Sequence, residues 1–135
     1  MKTDRIFLDA NILFSIAYGS SSLSYLWDFA KNGQCELLAS RYVIEEAKRN
    51  LEDIEQLVNL NSYLTSVNVV SEVDQTLPCP IELPDKDKPV LMAAISAKAD
   101  YLITGDVTHF GKYFGQKVMG VSIIMARDYI LPRIS

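Results

Sequence analysis

The sequence is poor in the residues that build several common catalytic and metal sites. It contains one histidine, His109, and two cysteines, Cys35 and Cys79, among 135 residues. A zinc site of cysteine and histidine, or a Ser-His-Asp triad, is therefore hard to assemble. We interpret the cysteines as buried thiols rather than a disulfide, since no export signal accompanies them. Any metal site must consist mainly of oxygen ligands, which favours Mg²⁺ or Mn²⁺.

Long apolar runs and an excess of basic residues are also missing. No apolar run approaches the ~20 residues that a membrane-spanning helix needs. The first residues, MKTDRIFLDANILF, lack the small-residue cleavage site of a signal peptide. We therefore expect a cytoplasmic protein with no membrane partner. The net charge of −4 argues against nucleic-acid binding through a large basic surface, but it allows an enzyme whose acids gather around metal ions.

The order of the apolar segments predicts a single α/β domain over residues 1–135. Strands are predicted at 5–10, 35–40, 68–73, 100–106 and 118–124, and the continuous apolar run of the first is typical of a strand covered on both faces. Helices are predicted at 11–19, 23–33, 41–51, 53–66 and 85–99 and after 124, and a proline-rich loop at 74–84. This alternation predicts a three-layer α/β/α sandwich around a mainly parallel sheet, with ligands beyond the carboxyl ends of the strands.

Two acids lie at the carboxyl ends of predicted strands. Asp9 follows the first strand directly, and Asp106 ends the segment YLITGD, in which Gly105 permits a tight turn. Each also has an ordinary structural interpretation, Asp9 as a helix N-cap and Asp106 as a turn residue. Asn11 can hold a neighbouring carboxylate through its amide, or it can be a first-turn helix residue without a special role.

Two further acids belong to predicted helices. In RYVIEEAKRNL, Glu46 lies roughly 100° from the centre of the apolar face and Glu45 roughly 160° from it, so that Glu46 is the better ligand candidate. Asp87 shares the apolar face of the 85–99 helix, whereas Asp85 points away and is expected to be its N-cap. Pro89 allows the start of this helix to shift, which keeps Asp85 as an alternative third acid. For Glu45 and Glu46, solvated helix charges remain the alternative.

Taken together, these segments gather up to four carboxylates at one edge of a parallel sheet. Packing does not require so much like charge in one place. The carboxylates repel one another, and the cluster is favourable only if a bound cation offsets that repulsion. The sequence therefore predicts a carboxylate metal site at this edge.

These residues resemble the PIN domain, a nuclease family that includes many prokaryotic toxins of toxin–antitoxin pairs. Its strand-one motif is similar to FLDANILFS, with Asp9 and Asn11 at the acid and amide positions. The segment that carries its glutamate is similar to SRYVIEEAKRNL, where Glu46 matches. Its long signature resembles PDKDKPVLMAAISAKADYLITGD, onto which Asp87, Thr104 and Asp106 carry over. The three motifs occur in the family's order over almost the whole chain.

The resemblance implies an endoribonuclease that depends on Mg²⁺ or Mn²⁺, with RNA as substrate. It also implies a toxin with an antitoxin protein as partner, and a homodimer. The expected catalytic and metal-binding residues are Asp9, Glu46, Asp87 and Asp106, supported by Asn11 and Thr104. Asp9 and Asp106 are expected as direct ligands, with Glu46 and Asp87 completing the site directly or through water.

Several other residues have weaker functional interpretations. Basic side chains that can contact the RNA backbone are Lys48, Arg49, Lys86, Lys88 and Lys112. The apolar residues Leu23, Leu26, Trp27 and Phe29 can form a dimer interface, although core packing explains them equally well. His109 is expected to be a solvated turn histidine rather than a catalytic group.

Three alternative functions remain open at this point. One is a PIN-like binding or scaffold module without activity, which a metal titration would distinguish. An aspartyl-phosphate phosphatase would use Asp9 as its nucleophile, but it would want a second acid where Asn11 stands. A phospho-receiver domain would require acids before Asp9 and a lysine at the end of the last strand. Glu46 has no role in such a domain.

Overall fold

The computed structural model describes residues 3–74 and 76–134, and within them six strands form one sheet. The strands are β1 (Asp4–Leu8), β2 (Cys35–Ser40), β3 (Val67–Val70), β4 (Tyr101–Ile103), β5 (Lys117–Val118) and β6 (Val121–Ile124). Their order is β3-β2-β1-β4-β6-β5, and neighbouring strands are parallel except for the β5–β6 pair. Residues 1, 2, 75 and 135 of the predicted domain and loop lie outside the described residues.

Helices connect the parallel strands. They are α1 (Ala10–Ala17), α2 (Ser24–Lys31), α3 (Arg41–Arg49), α4 (Ile54–Leu64), α5 (Lys88–Ser96), α6 (Val107–Phe110) and α7 (Ala126–Ile134). A 3-10 turn, Gly111–Tyr113, follows α6. The Ser40 side chain caps α3 as the sequence predicts, because its hydroxyl accepts a hydrogen bond of 3.4 Å from the Val43 N–H. No helix among the described residues is long and apolar enough to cross a membrane.

The sheet is covered on both faces. Ile6, Phe7 and Leu8 are consecutive in β1 and all are fully buried. Because successive side chains of a strand point to opposite faces, burial of all three requires a layer on each side of the sheet. Each such side chain contributes about 1.5–3 kcal/mol by leaving water. The predicted α/β fold with a central, mainly parallel sheet is therefore confirmed.

The prediction of a single strand over 118–124 was wrong. This segment forms a hairpin in which β5 and β6 pair antiparallel on either side of Met119 and Gly120. Both turn residues have positive φ, 49° and 88°, as a two-residue type I′ turn requires. The turn folds β5 back along β6 to form the edge of the sheet.

Helix α5 also departs from its predicted start. Asp85 was expected to be the N-cap, but α5 begins at Lys88 and Asp87 occupies the N-cap position without a side-chain capping bond. Pro89 lies in the first turn, where its missing N–H costs nothing. With Asp85 as N-cap, the first intrahelical hydrogen bond would have to come from the N–H of residue 89, and Pro89 has no N–H, so the helix starts later.

Four apolar residues in α2 and directly before it belong to the core. Leu23, Leu26, Trp27 and Phe29 are all buried, so core packing accounts for them and a dimer interface built on them is wrong. Cys35 is a buried free thiol, as predicted, while the free Cys79 is only half-buried.

Candidate metal centre

The four predicted acids all lie around one cavity at the carboxyl edge of the sheet. Asp9 follows β1 and Asp106 lies just beyond β4, and these two strands are parallel neighbours. Helix α3 contributes Glu46, and the N-cap position of α5 contributes Asp87. The cavity has a volume of about 550 Å³, and its lining includes Asp9, Asn11, Glu46, Lys86, Asp87 and Asp106.

Asp9 caps a helix and lines the cavity at the same time. Its Oδ1 accepts a 2.7 Å hydrogen bond from the N–H of Ala10 at the start of α1. Its Oδ2 accepts hydrogen bonds from the Thr104 hydroxyl at 2.8 Å and from the Asn11 amide at 3.3 Å. Burial raises the pKa of Asp9; the hydrogen bonds lower it in part, and the charges of Glu46 and Asp106 raise it further. A nearby cation would therefore stabilise its charged form.

Asn11 and Thr104 join the two strand ends in one hydrogen-bond network. The Asn11 amide donates to Thr104 Oγ1 at 3.3 Å, and its Oδ1 accepts from the Gly105 N–H at 2.8 Å. The fully buried Thr104 hydroxyl accepts from the Asp106 N–H at 3.1 Å. Both residues thus hold the segments that carry Asp9 and Asp106 in a fixed relation.

His109 is part of this site, and its interpretation as a solvated turn histidine was wrong. Asp106 caps the short helix α6, where its Oδ1 accepts from the His109 N–H at 3.0 Å. The His109 Nδ1 lies 2.9 Å from Asp106 Oδ2 and 2.8 Å from Asp87 Oδ2. Its side chain is only 27% exposed. The sequence signal that could have placed His109 in the site is its position three residues after Asp106, an acid that can cap a helix. Residues i and i+3 share a helix face.

Asp87 and Asp85 have opposite environments. Asp87 is 7% exposed, whereas the Asp85 side chain is 98% exposed and pairs with Lys88 at 3.1 Å. Among the described residues, the buried Asp87 Oδ2 has no hydrogen-bond partner. The His109 Nδ1 lies 2.8 Å from it, but the hydrogen-bond geometry of this nitrogen is met with Asp106. Burial raises the pKa of Asp87, the His109 charge lowers it, and Asp106 and Asp9 raise it.

These side chains fit a divalent cation. Ligand atoms of Asp87, Asp106 and His109 lie within 4.8 Å of one another. Asp9, which follows β1, and Glu46 of α3 add carboxylate oxygens around the same cavity. A buried carboxylate oxygen without a donor is costly, and a cation is the partner that would compensate it together with the surrounding negative charge.

The basic residues considered for RNA contacts are spread over two cavities. Lys86 lines the cavity with the four acids. Lys88 and Lys112 line a neighbouring cavity of about 750 Å³ beside the 79–84 loop, and His109 lines it as well. Neither cavity includes Lys48 or Arg49 among its described lining residues. Sequence reasoning also missed two residues of the acid-lined cavity, Phe14 and Asn50.

Comparisons with known proteins concern the family and the fold. A family model described as PIN domain matches residues 5–108. The fold resembles VapBC2 from Rickettsia felis, solved bound to a DNA fragment from its promoter, with a TM-score of 0.62, 16% identity and coverage of 88% of this chain and 96% of that one. It also resembles PAE2754 from Pyrobaculum aerophilum, with a TM-score of 0.61, 18% identity and coverage of 98% of each chain. No curated protein sequence matches the chain.

Proposed function

Because this chain belongs to the PIN domain family, we propose that it is a divalent-metal-dependent endoribonuclease that hydrolyses RNA phosphodiesters. The observation that carries the proposal is the set of four carboxylates around one cavity, with the buried Asp87 Oδ2 lacking a hydrogen-bond partner among the described residues. So much uncompensated like charge destabilises a fold unless a cation binds there. The family match also argues against the phosphatase and phospho-receiver alternatives.

The residues divide into cation ligands and groups that position them. Asp9 and Asp106 would hold Mg²⁺ or Mn²⁺ directly, and Glu46 and Asp87 would complete the site directly or through water. When bound, the cation would make water a better nucleophile and stabilise negative charge on the phosphate. Asn11 and Thr104 keep the carboxylates oriented through their hydrogen bonds.

The charge around the cavity defines how RNA would approach. The acids would repel a phosphate backbone until a cation neutralises them. Both substrate binding and catalysis should therefore depend on metal. Lys86 is a basic side chain in the cavity lining, where it can attract the phosphate next to the scissile bond. Because the chain is acidic overall, we expect RNA affinity to be modest and local to this cavity.

We further propose that the chain works as a single domain in the cytoplasm, as the toxin of a toxin–antitoxin pair, with an antitoxin protein as partner. The likeness of its fold to VapBC2 supports this proposal. A homodimer is part of the same proposal. Since Leu23, Leu26, Trp27 and Phe29 are buried in the core, such a dimer would use other residues.

The test is cleavage of a mixed pool of labelled single-stranded and structured RNAs in Mn²⁺, Mg²⁺ or EDTA. Wild type is compared with Asp9→Asn and Asp106→Asn, and with Asp85→Asn as a matched control on the exposed neighbour of Asp87. We expect cleavage that needs metal, falls at least about 100-fold in the first two variants and is unchanged in the control. Cleavage that persists in EDTA would contradict the proposal. Absence of both cleavage and metal binding would favour a binding module without activity.

A further inference from the structure

The imidazole of His109 lies between two carboxylates of the candidate metal centre. Its Nδ1 is 2.8 Å from Asp87 Oδ2 and 2.9 Å from Asp106 Oδ2. We infer that His109 is a nitrogen ligand of the bound cation, and that the site therefore prefers a transition-metal ion such as Mn²⁺ to Mg²⁺. This inference rests on the proposed metal-dependent function and adds a ligand to it.

The distances between these atoms match those between neighbouring ligands of one ion. An octahedral cation with ligands at ~2.1 Å places adjacent ligand atoms ~3.0 Å apart. The two separations from Nδ1, 2.8 and 2.9 Å, are close to that value. The nitrogen is therefore spaced from each oxygen as adjacent ligands of one ion are, and the ligand atoms of the three residues lie within 4.8 Å of one another.

Hydrogen bonding alone leaves this arrangement incomplete. A neutral imidazole that donates from Nδ1 has a single proton there, and the hydrogen-bond geometry gives it to Asp106. Asp87 Oδ2 then stays buried without a partner among the described residues. A cation bound by all three atoms would satisfy both carboxylates at once, which one proton cannot do.

The position of His109 is fixed by the fold rather than by a flexible turn. Its backbone N–H donates a hydrogen bond to Asp106 Oδ1. The ligand candidate Asp106 therefore also orients the helix that carries His109. The next residue, Phe110, is fully buried and anchors α6 in the core. A ligand held in this way loses little conformational entropy when it binds a metal.

The chemistry of the added nitrogen decides the choice of metal. Mg²⁺ prefers an all-oxygen shell, whereas imidazole suits transition-metal ions. Mn²⁺ accepts carboxylate oxygens and also binds nitrogen, so it suits several carboxylates with one imidazole. Removal of His109 should therefore weaken Mn²⁺ binding much more than Mg²⁺ binding.

The single histidine of the chain makes the test specific, because any imidazole coupling in an untagged protein must come from His109. The experiment is pulsed electron paramagnetic resonance of bound Mn²⁺, with calorimetric titration of Mn²⁺ and Mg²⁺. We expect imidazole ¹⁴N coupling in the wild type and none in His109→Gln, with Mn²⁺ affinity reduced about tenfold or more in the variant. Thr108→Ala, on the neighbouring exposed residue, should retain both the coupling and the affinity.

The outcomes separate this inference from the function on which it rests. Bound Mn²⁺ without nitrogen coupling, or equal weakening of both metals in His109→Gln, overturns the ligand role and leaves the nuclease proposal standing. Failure of the wild type to bind either metal overturns the proposed function itself. Thermal unfolding of His109→Gln, followed by circular dichroism, shows whether the variant is folded before its affinities are compared.

Discussion

The hydroxyl of Thr104 donates a 2.8 Å hydrogen bond to Oδ2 of Asp9, across 95 positions of the chain. Both residues are buried at the ends of the neighbouring strands β1 and β4. Burial raises the pKa of Asp9, and this hydrogen bond is the largest influence that lowers it. Thr104 therefore helps to keep a buried carboxylate charged and oriented for a cation.

Replacement of Thr104 by Val tests that role. Val keeps the shape but removes the hydroxyl, so Asp9 Oδ2 loses its shortest hydrogen bond and the Asp106 N–H loses its acceptor. We expect unfolding in urea to show a loss of about 1–3 kcal/mol, with weaker metal binding. Thr104→Ser should restore most of both. Wild-type stability in Thr104→Val would show that water replaces the hydroxyl at no cost.

Glu46 and Glu45 form a matched pair on α3. Glu46 is half-buried and lines the acid-rich cavity, while Glu45 is exposed. Glu46→Gln should weaken metal binding and RNA cleavage by about tenfold to 100-fold, because it removes one carboxylate from the site. Glu45→Gln removes the same charge one residue away and should change either quantity less than about twofold, since it is solvent-screened. Equal effects would indicate that general charge, rather than coordination, controls activity.

The parts of the site that follow strands were predictable from the sequence. Continuous apolar runs that end in Asp9 and Asp106 predict parallel strands with acids at one edge, and the sheet confirms that edge. The position of Glu46 at the border of the buried face was also readable, because α3 is long enough to show helical periodicity.

The parts of the fold and site that depend on short or irregular segments were not predictable from the sequence. Helix α6 has four residues, which is too few for a periodic pattern, so His109 gave no signal except its spacing from Asp106. The hairpin turn was missed because Met119 adopts a positive φ. Positive φ in such turns is typical of Gly, Asn or Asp, so a methionine gives no turn signal. The start of α5 depended on Pro89, which lacks the N–H that would close a first turn on Asp85.

The hairpin turn offers a test of stability away from the site. Met119 is 71% exposed with a φ of 49°, so its side chain gains little from packing while its backbone is strained. Met119→Asn or Met119→Gly should stabilise the fold by about 0.5–1 kcal/mol in chemical denaturation. Gly120→Ala is the converse control: at a φ of 88° it should destabilise by about 1 kcal/mol or more. Destabilisation by both Met119 variants would mean that its side chain makes a stabilising contact in solution.

The buried acids should make the metal-free protein less stable as the pH rises. Burial raises the pKa of Asp9 and of Asp87 above their ordinary value of 3.8. The folded state therefore binds more protons than the unfolded state between that value and the raised pKa, so the free energy of unfolding falls as the pH rises through this interval. A divalent cation bound to the charged carboxylates should reverse this loss at neutral pH.

Asp87→Asn isolates one of these two contributions. In the metal-free protein at neutral pH, it should raise the free energy of unfolding, because a buried charge is removed. Below the ordinary pKa of 3.8 the effect should be much smaller, because Asp87 is then mostly protonated in the unfolded state and, with its raised pKa, in the folded state as well. The variant should also lose most of the stabilisation that Mn²⁺ gives to the wild type, whereas Asp85→Asn should match the wild type throughout. If Asp87→Asn instead lowers stability at neutral pH without metal, the attraction of His109 outweighs burial and the carboxylate does not need a cation to be stable.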